Sequence, residues 1–160
     1  MRRTIPKILI VEDDNEKFSD ISKIVRNAAP APLDMIRAET AREAERLCLL
    51  IRPDLLVLDI SMNISPGGLG PMKGGFANLG GMDILEALYY SDALLPTIIV
   101  TGFDLFKAQD RKSEYEIIGL SEIEEAAQTR LGKLFYGCIR YQGKGWESAL
   151  TDAVARWGRS

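Results

Sequence analysis

The chain predicts an α/β fold in which a doubly wound parallel sheet of five strands carries helices on both faces. Two observations predict it. Short runs of β-branched and other apolar residues alternate five times with segments whose apolar residues recur at helical spacing. The runs "LLVLD" and "TIIVT" are apolar rather than alternately polar, which marks strands covered on both faces. The 160 residues suit a single domain, 1–160, without internal repeat or linker.

Taken in order, "KILIV" (7–11) is the first strand. Phe18, Ile21, Ile24, Val25 and Ala28 then follow a helical period until Pro30 and Pro32 end the element. "LDMIRA" (33–38) is the second strand. Thr40 caps a helix whose inner face is Ala41, Ala44, Leu47, Cys48 and Ile51, and Pro53 closes it. "LLVLD" (55–59) is a buried third strand, followed by a glycine-rich stretch. Ile84, Leu85, Leu88 and Tyr89 mark a helix that stops before Pro96, and "TIIVT" (97–101) is the fourth strand. The charged stretch 103–119 is ambiguous between periods. Ser121 and Glu124 then form a capping box, with Ile123, Ala127 and Leu131 behind it and Gly132 as C-cap. "LFYGCIRY" (134–141) is the fifth strand, and Trp146, Leu150, Ala153, Val154 and Trp157 stripe the last helix.

Composition narrows the function. A content of 46% hydrophobic and 27% charged residues is that of an ordinary globular protein, and a net charge of −3 leaves no nucleic-acid footprint. No apolar run reaches membrane-spanning length, and "MRRTIPKILIVEDD" meets acids too early for a signal peptide, so no membrane insertion and a cytoplasmic location are expected. Cys48 and Cys138 lie far apart in apolar surroundings and are expected to be buried thiols. The chain contains no histidine. A Ser-His-Asp triad, a Cys-His pair and a His-ligated zinc are therefore excluded.

In an open parallel sheet, function gathers at the carboxyl ends of the strands. Glu12, Asp13 and Asp14 follow the first strand, Asp59 the third, Thr101 the fourth and Lys144 the fifth. For any single acid a helix N-cap is the competing reading, and Asp13 or Asp14 could simply start the first helix. Acids converging from several strand ends repel one another unless a cation sits among them. Oxygen-only ligands favour a hard ion, Mg²⁺ by preference.

"KILIVEDDNEKF", "RPDLLVLDISM" and "PTIIVTG" resemble the response-regulator receiver domain of two-component signalling, in order and over nearly the whole chain. The resemblance implies a flavodoxin-like sheet of order 2-1-3-4-5. It implies that Asp59 is the phosphoacceptor and that Thr101 is the switch hydroxyl. Glu12, Asp13, Asp59 and the main-chain carbonyl of Ser61 would hold Mg²⁺, while Asp14 becomes a cap. The implied partners are a sensor histidine kinase or phosphotransfer protein and an effector protein acting in trans, with no metabolic enzyme activity beyond possible loss of its own phosphate. A carboxylate can form an aspartyl phosphate, and the transfer needs mainly alignment and charge neutralisation.

The chain departs from the family pattern in three places. Asn63 stands where a proline is usual, and the following glycine corresponds to Gly81, which makes 64–80 an insertion. The segment 103–120 before the fifth strand is extended. The Lys-Pro pair is replaced by "KGW" at 144–146, which assigns the phosphate-contacting cation to Lys144, with Arg140 and Lys133 as further candidates. Tyr141 is the switch aromatic if the register slips by one residue. The glycine loop itself is no nucleotide cradle: "GGLGPMKGG" fits neither GxxxxGK[ST] nor GxGxxG. Poor in bulky residues, it is expected to be a loop beside Asp59 that covers the site, meets a partner or is passive length. The rival to a phospho-accepting receiver is a non-switching pseudo-receiver that serves as a protein-interaction module.

Overall fold

The computed structural model describes residues 4–61, 79–109 and 115–160. The expected glycine-rich insertion, 64–80, thus lies outside the described residues apart from Leu79 and Gly80. In chain order the elements are β1 (Lys7–Val11), α1 (Asn15–Ala28), β2 (Asp34–Ala38), α2 (Ala41–Ile51), β3 (Leu55–Leu58) and α3 (Gly80–Tyr90). They continue with β4 (Thr97–Thr101), β5 (Leu105–Gln109), β6 (Tyr115–Gly119), α4 (Leu120–Leu131), a 3-10 turn (Gly132–Leu134), β7 (Phe135–Arg140) and α5 (Trp146–Gly158).

Five strands form one parallel sheet in the order β2-β1-β3-β4-β7. With the two short ribbon strands set aside, this is the expected order 2-1-3-4-5. Because successive side chains of a strand point to opposite faces, each apolar run supplies both layers. Leu9, Val11, Leu56, Leu58 and Ile99 pack with Leu47 of α2, Leu85 of α3 and Ile123 of α4. Ile8, Ile10, Leu55, Val57, Ile98 and Val100 pack on the other face with Ile21 and Val25 of α1 and Leu150 and Val154 of α5. That two-sided burial is why the central strands β1, β3 and β4 read as nearly continuous apolar runs.

Two helix starts follow local chemistry. The Asp14 side chain accepts from the Lys17 N–H at 2.8 Å, and the Thr40 hydroxyl accepts from the Glu43 N–H at 3.1 Å. The start of α4 does not. The expected Ser121–Glu124 box is absent, because β6 runs directly into the helix and Gly119 is the N-cap without a side-chain bond. The Leu120 N–H instead donates to the Asp104 carbonyl at 3.0 Å, so the backbone satisfies a first-turn donor. The ambiguous stretch is an antiparallel ribbon of β5 and β6, inserted between β4 and α4.

Candidate functional site

The site is assembled by the pairing of the central strands. Beyond β1, the Glu12 N–H still donates to the Ala38 carbonyl at 3.0 Å, and the Asp59 N–H donates to the Val11 carbonyl at 3.1 Å. Continuation of these ladders places the Glu12 and Asp59 side chains together at the carboxyl end of the sheet. Both are buried, whereas Asp13 is exposed. One oxygen from each of Glu12, Asp13 and Asp59 falls within 4.8 Å of the others.

A cation absent from the sequence reading lies among them. The Lys17 ammonium is 2.6 Å from Glu12 Oε2 and 3.1 Å from Asp59 Oδ2, and the lysine is only 5% exposed. The remaining oxygens are also engaged. Glu12 Oε1 accepts from the Asp14 N–H at 3.0 Å. Asp59 Oδ1 accepts from the Ser61 N–H at 3.0 Å and hydroxyl at 2.9 Å, and the same hydroxyl lies 2.8 Å from Asp59 Oδ2. Ser61, expected to contribute its carbonyl, therefore touches the acid through its N–H and hydroxyl. Burial, and then the adjacent Asp59, push the Glu12 carboxyl up to about 8, while Lys17 and the Asp14 N–H pull the other way.

Around this core, Thr101 ends β4 with a fully buried hydroxyl that has no hydrogen-bond partner among the described residues. The N–H of Gly81 donates to the Ile60 carbonyl at 2.9 Å, which lays the start of α3 on the turn after Asp59. Tyr141 is buried just beyond β7, with its N–H on the Thr101 carbonyl at 2.9 Å. Its hydroxyl donates to Asp20 Oδ2 at 2.6 Å, and its ring meets Trp146 edge to face. Burial and the Asp20 bond raise the Tyr141 phenol above its ordinary range. The Lys17 ammonium sits 5.7 Å from the centre of the same ring.

The other cations fall elsewhere. Lys144 is exposed in the turn before α5 and has no ion pair among the described residues. Arg140 turns to Asp104 Oδ1 at 2.9 Å and to the Tyr141 carbonyl at 2.7 Å. Lys133 precedes β7 and so stands at the amino end of the sheet. The sequence signal for Lys17 was its place in the buried stripe of α1, four residues before Ile21 and eight before Val25.

As a Mg²⁺ site the three carboxyl groups fit in number and donor chemistry, provided that the Lys17 ammonium withdraws from between two of them. No helix among the described residues is long and apolar enough to cross a membrane.

No protein-family profile matches the sequence, and no curated protein matches it. Solved structures do. The signal receiver domain of a protein described as a Luxo repressor from Vibrio parahaemolyticus superposes with a TM-score of 0.64 at 18% identity, covering 98% of this chain and 92% of that one. The chemotaxis response regulator CheY4 of Vibrio cholerae gives 0.58 at 15% identity over 96% and 99% of the two chains. The response regulator domain of Thermotoga maritima CheB gives 0.59 at 15% identity over 98% and 96%. The chain thus has the flavodoxin-like fold of response-regulator receiver domains.

Proposed function

We propose that this chain is a receiver domain that accepts a phosphoryl group on Asp59 from a sensor histidine kinase or phosphotransfer protein and signals to an effector. It acts as a cytoplasmic signalling module rather than a metabolic enzyme. The observation that carries this reading is the pairing of two features at adjacent strand ends. Asp59 is a buried carboxyl held by Ser61 and Lys17, and Thr101 on the neighbouring strand keeps a buried hydroxyl without a partner.

In the proposed transfer an Asp59 carboxylate oxygen attacks phosphorus as the phosphorus–nitrogen bond of the donor phosphohistidine breaks. The departing imidazole nitrogen keeps the bonding electron pair and takes up a proton. Ser61 orients the carboxylate through its N–H and hydroxyl. Glu12, Asp13, Asp59 and the Ser61 carbonyl would hold Mg²⁺, which when bound neutralises the phosphoryl oxygens. Lys17 is the cation already beside Asp59, and Lys144 is a second cation at the same end of the sheet. The Thr101 hydroxyl donates to a phosphoryl oxygen, and its inward shift biases the surface between two states. Water hydrolyses the acyl phosphate and restores the carboxylate.

The buried Lys17 pair favours one alternative, the non-switching pseudo-receiver, since an ammonium already stands between Glu12 and Asp59 at rest. Intact-mass spectrometry after acetyl phosphate treatment with Mg²⁺ separates the two. One added phosphoryl group, lost in Asp59→Asn, is expected. Equal labelling of Asp59→Asn would overturn the site assignment, and an unlabelled wild-type chain would establish the pseudo-receiver reading.

A further inference from the structure

We propose that Lys17 is a resident, tethered cation whose ammonium holds the place between Glu12 and Asp59 that a divalent ion needs, and so weakens Mg²⁺ binding by the resting protein. The proposal concerns binding at the acidic cluster and stands whether or not Asp59 accepts phosphate.

A lysine in this position is costly unless something holds it there. It lies in the first turn of α1, where the helix dipole favours anions, and it is almost wholly removed from water. The Glu12 and Asp59 carboxyl groups offset both costs, at 2.6 and 3.1 Å. The converse also holds. Without the ammonium, two buried carboxyl groups face each other, and they must either protonate or take another cation. Asp13, exposed beside them, completes a three-oxygen set open to an ion from solvent.

The ammonium and a divalent ion therefore compete for the same two oxygens. A displaced ammonium would have polar and aromatic neighbours close by. The Tyr141 ring centre is 5.7 Å from its ammonium, and the Asp20 carboxylate bound to the Tyr141 hydroxyl lies on the same helix one turn further on. An aromatic face backed by a carboxylate can receive a displaced ammonium.

The test is Mg²⁺ titration of the full chain by calorimetry and by thermal unfolding, in wild type, Lys17→Met, Lys17→Gln and Lys17→Arg. Lys17→Met and Lys17→Gln should bind Mg²⁺ at least tenfold more tightly than wild type, and Lys17→Arg should restore weak binding. Adding Asp13→Asn to Lys17→Gln should reverse the gain, which locates the ion at this cluster. If Lys17→Met does not fold in chelator, Lys17→Gln, which keeps a donor for Glu12, carries the comparison. Wild-type or weaker affinity in folded Lys17→Gln, or a gain that Asp13→Asn leaves untouched, overturns the proposal. Loss of Asp59 labelling alone would bear on phosphoryl transfer and leave these binding readouts unchanged.

Discussion

Replacing Gly81 by alanine puts the junction between α3 and the Asp59 turn to a test in which even the sign is informative. Gly81 is the second residue of α3, and its N–H is bonded to the Ile60 carbonyl. A Cβ there would press on the Asp59 carbonyl oxygen and sit 2.6 Å from Ile60 Cα. Both neighbours are backbone, so no rotamer change relieves the overlap. In an unobstructed helix the exchange favours alanine by about 1 kcal/mol. Overpacking against a fixed backbone costs about 1–3 kcal/mol, and at the short separation here the upper part of that range applies. The net expectation is a loss of about 1–2 kcal/mol, or a melting temperature lower by roughly 2–8 °C for a chain of this size. Gly102→Ala is the control, because a Cβ there meets nothing within 4 Å. It should stay within about 0.5 kcal/mol of wild type. Urea unfolding followed by circular dichroism measures both. A Gly81→Ala chain as stable as wild type, or more so, would show that α3 can lift off the turn, and would refute the close-approach argument.

Two further predictions concern buried groups. Thr101→Val keeps the shape of the side chain and removes a hydroxyl without a partner among the described residues, so urea unfolding should show the protein more stable by about 1 kcal/mol. A clear loss of stability would mean that the hydroxyl is bonded at rest. Burial raises the thiols of Cys48 and Cys138 from 9.0 to about 12, so between these values the folded chain keeps protons that the unfolded chain has released. The stability contributed by each thiol is whole below pH 9 and is lost as pH rises toward 12, at up to ~1.4 kcal/mol per pH unit. Cys48 is buried as expected, whereas Cys138, expected to be buried as well, is half-buried. The Cys48→Ala/Cys138→Ala double variant should show a flatter alkaline decline, and an unchanged slope would count against desolvated thiols.

The sheet was legible because its signals are local and redundant. The central strands β1, β3 and β4 are nearly continuous apolar runs, and Asp14 and Thr40 satisfy first-turn donors through their own side chains. The ribbon was not legible. Its strands pair only with each other, antiparallel, so they lack the two-sided burial that marks the main sheet. The capping box failed for a related reason: the helix starts one residue before Ser121, with Gly119 as N-cap, and the Asp104 carbonyl from the loop before the ribbon accepts from the Leu120 N–H. Within the site, Glu12, Asp13 and Asp59 were readable from their places at strand ends. Lys17 was not, because a lysine after an acidic run suggests a solvated face, and only its alignment with Ile21 and Val25 points it inward.

The end of β7 sends its side chains to partners other than Asp59. Arg140, the last residue of the strand, is drawn toward Asp104 at the entrance to the ribbon, in a half-exposed pair that contributes little stability but directs the guanidinium away from Asp59. The next position is filled by Tyr141, whose ring packs against Trp146 and whose hydroxyl is committed to Asp20. The two residues at the carboxyl end of β7 are thus both engaged before either can serve the carboxyl site. Among the described residues that leaves Lys17 as the cation that meets Asp59, delivered by the same turn whose N-cap is Asp14. The ribbon entrance thus takes the strand-end guanidinium of Arg140, while the first turn of α1 supplies the ammonium at Asp59.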